Sequence, residues 1–82
     1  MKIVMRDNRV FEGTPLQIVR AMQARAFGVE GLSVRQYIEW VAANARKFEA
    51  VELVIQGETE DELAAAFVAE MERCKLARVE VR

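Results

Sequence analysis

Histidine is absent, and cysteine, proline, tryptophan and tyrosine each occur once in the 82 residues. Without imidazole the chain lacks the commonest general base and metal ligand, and nothing of that kind can activate its thiol. The lone cysteine, Cys74, excludes an internal disulfide and leaves no Cys/His set for zinc. No apolar run approaches the roughly 20 residues that a membrane-spanning helix needs, so no membrane partner is expected. An excess of one charge is also missing. The 12 basic and 13 acidic residues leave a net charge of −1, whereas a nucleic-acid binder usually shows a strongly basic domain. Neither a Gly-rich phosphate loop nor a nucleophile elbow is present. No enzyme is therefore expected, and no cofactor or metal. The opening residues, MKIVMRDNR, contain no long apolar run and no cleavage-like site, which predicts a cytoplasmic protein without a signal peptide.

What the chain has is apolar content, at 52% of residues. Its length predicts a single domain over 1–82. A domain this small has a thin core, and such chains often complete it against a second copy.

Two short β-type runs, 2–6 and 9–12, flank Asp7-Asn8, which predicts a hairpin with a two-residue turn. After Gly13, Thr14 can cap a helix that has Pro15 in its first turn. Leu16, Val19, Met22 and Ala26 recur at helical spacing, Ile18 and Phe27 widen the stripe, and Gly28 is the natural stop. Ser33 and Gln36 form a capping box for a second helix, with Val34, Tyr37, Ile38, Val41, Ala42, Ala45 and Phe48 on one face. Residues 51–56, VELVIQ, alternate like a strand. Thr59 and Glu62 form another capping box, for a third helix over about 60–74 that buries Cys74 as an inert thiol. Residues 77–82 alternate again, with Val79 and Val81 on one face. The order ββααβαβ predicts an α+β fold: a small mixed four-stranded sheet with three helices packed mainly on one face. Its last two strands should be parallel, joined by a right-handed crossover.

Three clusters are candidates for function. Tyr37, Trp40 and Asn44 stand three and four residues apart, on one flank of the second helix. Trp40 lies off the centre of the apolar stripe, and half-exposed tryptophan and tyrosine are the usual anchors of protein interfaces. The helical pair at 15–48 resembles a helix-turn-helix, with Ala24 where two helices cross closely and Gly28 at the turn. That stretch is the more basic part of the chain. From Thr14 to Glu49 there are five basic and three acidic residues, against seven and ten elsewhere. Arg20, Arg25, Arg35, Gln36, Arg46 and Lys47 would meet the duplex, although Glu39 sits in the middle of the reading face with the wrong sign for phosphate. Finally, a two-residue hairpin turn would set Arg6 opposite Arg9, a pair that an anion can bridge. The acidic run GETEDE at 57–62 lacks calcium-loop spacing and is explained by helix capping.

The expectation is a soluble protein-interaction module acting as a homodimer through Tyr37, Trp40 and Asn44 and an exposed strand edge such as 79–82. The alternative is a DNA-binding regulator that uses the pair at 15–48.

Overall fold

The computed structural model describes residues 1–80. Val81 and Arg82, the end of the strand and strand edge expected to reach residue 82, lie outside the described residues. The elements are β1 (Lys2–Met5), β2 (Val10–Glu12), α1 (Pro15–Arg25), α2 (Val34–Glu49), α3 (Glu60–Arg73) and β3 (Ala77–Glu80). Each helix starts at a complete capping box. Thr14, Ser33 and Thr59 accept from the backbone N–H three residues on, and Gln17, Gln36 and Glu62 reach back to the cap N–H at 2.9–3.0 Å. A cap of this kind contributes about 1 kcal/mol, which matters in a thin-cored domain.

The fold is α+β with an antiparallel three-stranded sheet in the order β2-β1-β3, in place of the expected mixed four-stranded sheet. Ile3 pairs with Phe11 on one side and Val79 on the other, so these three apolar side chains share the inner face. α1 and α3 lie on that face. α2 stacks on α3, touches α1 and, among the described residues, packs against no strand. At its C-terminal end it meets the hairpin turn, where Arg6 bonds Glu49 at 2.9 Å.

The missing strand is 51–56. The segment does alternate, with Leu53 buried and Glu52, Val54 and Gln56 exposed, but it runs alongside α3 with no strand beside it. Two side chains of α3 replace a neighbouring strand. Glu70 accepts from the Val54 N–H at 2.8 Å, and Arg73 donates to the Glu52 carbonyl at 3.1 Å. These two side chains also bond each other, at 2.8 and 2.9 Å. With no strand here there is no parallel crossover, and β3 joins β1 antiparallel instead.

Local chemistry corrects three smaller expectations. The hairpin loop has three residues, because Asn8 takes a left-handed conformation (φ 72°) after a turn closed by the Asn8 N–H on the Met5 carbonyl. Met5 therefore faces Arg9, and Arg6 does not. α1 stops at Arg25, short of Gly28, so Phe27 leaves the stripe and is fully exposed while Val29 turns into the core. Cys74 caps the end of α3 and is half-buried.

Gln23 is buried on the inner side of α1. Its amide donates to the Val29 and Leu32 carbonyls, both at 2.8 Å, and so pins the α1–α2 loop. Gln23→Ala should destabilise the protein by about 2 kcal/mol in chemical denaturation, since it strands two carbonyls. Glu70 supplies a second test. Its bonds to Arg73 and then to the Val54 N–H lower its pKa from the ordinary 4.5 to about 2. Folding gains from its charge above pH 4.5, and the gain is lost as pH falls toward 2. Over that range stability should fall more steeply in the wild type than in Glu70→Gln, and equal slopes would show that the clamp contributes nothing.

Candidate interaction surface

Helical spacing sets Tyr37, Trp40, Val41, Asn44 and Phe48 along one flank of α2. Its aromatic rings differ in exposure, and Val41 and Asn44 between Trp40 and Phe48 are half-buried. Tyr37 is 3% exposed, Trp40 42% and Phe48 73%. The Tyr37 and Trp40 rings stack, with centroids 6.0 Å apart and planes 27° from parallel. The structure thus brings together Tyr37, Trp40 and Asn44, the residues singled out in the sequence. It adds Phe48, which the helical pattern had placed on the buried face. Phe48 stands in the last turn of α2 and remains in solvent.

Beside this flank runs a groove of about 470 Å³ between the C-terminal half of α2 and the hairpin turn. Asn44 and Phe48 belong to both flank and groove. Its apolar wall includes Met5, Met22, Met71 and Leu76. Thioether side chains adapt their shape to what they touch. The rim is polar and internally neutralised. Arg6 bonds Glu49 and reaches the Lys75 carbonyl at 3.3 Å, and Arg9 bonds Asp7 at 2.7 Å. The Arg9 N–H and guanidinium hold the Asp7 carboxyl below its usual range. Arg6 and Arg9 thus each have a carboxylate partner of their own and do not stand as a facing pair.

The flank also carries hydrogen-bonding capacity that the described residues do not use. Among the described residues, nothing bonds the Tyr37 hydroxyl, the Trp40 indole N–H or the Asn44 amide. Burial pushes the Tyr37 hydroxyl above its ordinary pKa of 10.0, against the pull of the Arg9 charge.

The residues of the nucleic-acid alternative are dispersed. Arg20 pairs with Glu60 at 3.4 Å, and the Arg25 guanidinium lies 5.1 Å from the centre of the Phe11 ring. Lys47 lies 5.3 Å from that of Phe48, and Gln36 is held in its capping box. Arg35 and Arg46 share a second groove, of about 350 Å³, whose other wall is Glu52, Leu53 and Ile55. Arg46 pairs there with Glu52 at 3.7 Å, and Arg35 reaches the Glu58 carbonyl at 3.5 Å. The 51–57 segment therefore runs along the face of α2 that would have to read bases. Ala24, where a helix-turn-helix crosses closely, is exposed.

In the acidic run, Glu60 pairs with Arg20, and Glu62 accepts from the Thr59 and Glu58 N–H groups, which lower its pKa. Among the described residues no cluster of three His, Cys, Asp or Glu is placed to hold a metal ion, and no helix is long and apolar enough to cross a membrane. Comparison with family models, curated proteins and solved structures finds no match to the chain.

Tyr37 is the only tyrosine, so its ionisation is readable by ultraviolet absorbance. In the folded protein its midpoint should lie above pH 10.0, and Arg9→Gln should raise it further. Because folding favours the neutral phenol, this contribution to stability is complete below pH 10.0 and is lost as pH rises through the folded pKa. A midpoint at the ordinary value would contradict the burial of this residue.

Proposed function

We propose that the protein works by protein–protein contact and that its first partner is a second copy of itself. The observation that carries this reading is the α2 flank: an aromatic stack, an exposed phenylalanine and three unused hydrogen-bonding side chains, all beside an adaptable apolar groove. Interface anchors have this composition, with an apolar body for burial and a polar tip for direction. A domain of 82 residues also gains most from burying such a patch, because its own core is small. The outer edge of β3, which has no strand beside it among the described residues, is a second surface open to pairing. The reading assigns contact, and no catalytic step.

Sedimentation velocity across micromolar concentrations tests it. The wild type should form a dimer, and Trp40→Ala should weaken that dimer about tenfold or more, the loss typical of an aromatic anchor. A strict monomer at every concentration overturns the reading. A salt-titrated duplex-binding assay on the same sample separates it from the nucleic-acid alternative, whose affinity would fall steeply with salt.

A further inference from the structure

We infer that two copies pair α2 against α2, antiparallel, about a two-fold axis that passes through Asn44. This rests on the homodimer reading and specifies its geometry. In a two-fold contact the same patch serves both subunits, so the patch must complement itself. About an axis at Asn44, the residue n places before it faces the residue n places after it in the partner. Trp40 then meets the partner's Phe48, and Phe48 meets the partner's Trp40. Each lies about 6 Å along α2 from Asn44, on opposite sides, at the rise of an α-helix. The two most exposed aromatic rings of α2 cover each other. The partner's Trp40 closes over Phe48 at the lip of the groove, where the methionine wall can adjust to the indole.

Asn44 is the polar centre of this patch. A carboxamide both donates and accepts, so it can form a reciprocal pair of hydrogen bonds with the same group across the axis. That would use the bonding capacity that Asn44 leaves unspent among the described residues. One asparagine in an otherwise apolar helix contact also fixes register, because a slip leaves its amide unpaired.

Charge selects the antiparallel sense. The last turn of α2 carries Arg46 and Lys47 and its first turn no acidic residue. Parallel pairing would bring the cations of two last turns side by side and align the two helix dipoles. The antiparallel arrangement about Asn44 staggers the two Lys47 residues by about 9 Å along the helices and opposes the dipoles.

The test uses two single-cysteine variants in a Cys74→Ser background, under mild oxidation. Asn44→Cys should form an intermolecular disulfide quantitatively, since residues on the axis approach within bonding range. Arg46→Cys, on the far side of α2, should not. In parallel, Asn44→Asp places two carboxylates on the axis and should raise the dissociation constant about tenfold or more, with the fold intact by circular dichroism. If the wild type dimerises but Asn44→Cys cross-links no better than Arg46→Cys, or Asn44→Asp dimerises undiminished, the axis is wrong while the homodimer reading stands. If the wild type is monomeric throughout, the homodimer reading fails first and this inference falls with it.

Discussion

Burial of α3 organises this molecule. Leu63, Ala64, Phe67, Val68 and Met71 form a stripe that is covered from several directions, and Phe67 has no exposed surface. α1 packs on one side, α2 on another, and β3 returns beneath. Ala64 is small and fully buried, which lets a neighbouring element approach closely. In a domain with so little interior, one helix buried this way stands in for the core that a larger protein would build from many elements. α2 is attached through α3, without direct support from the sheet. One side of α2 is therefore used in folding, and another leaves Trp40 and Phe48 exposed among the described residues.

Much of the architecture was legible in the sequence because it is local. The hydroxyl and carboxamide or carboxylate of each capping box lie three residues apart, so helix starts are written within one turn. The hairpin was visible for the same reason. The failures came where a distant part of the chain decided. VELVIQ alternates because one side is buried, and that period is the same whether the cover is a strand or a helix. Glu70 and Arg73, the groups that hold this segment, lie about twenty residues further on, and nothing in VELVIQ points to them. Gln23 was equally hidden. A glutamine on an apolar stripe looks like a break in the pattern until the Val29 and Leu32 carbonyls are placed beside it.

The candidate surface was partly legible. Tyr37, Trp40 and Asn44 could be grouped because helical geometry alone puts them on one flank. Phe48 could not, since its spacing matches that of the buried stripe. The groove was out of reach altogether, because its walls come from β1, α1, α2 and α3 and no short stretch contains them. The basic residues between Thr14 and Glu49 show the opposite lesson. Their clustering in sequence dissolves in space, where carboxylates, carbonyls and aromatic rings of this same chain take up most of them.

The strap between α2 and α3 has a consequence for how the molecule breathes. A strand within a sheet is held by bonds along its length and leaves only when the sheet comes apart. Residues 51–57 are held chiefly by two side chains of α3 and by the burial of Leu53. Release of that clamp uncovers Leu53 and the partly buried Val51 and Ile55 but leaves β1, β2 and β3 paired. A segment held by side chains rather than by a ladder can open locally at lower cost than a strand within a sheet. Amides here would exchange with solvent through local excursions, while those of α3 would wait for the whole molecule to unfold.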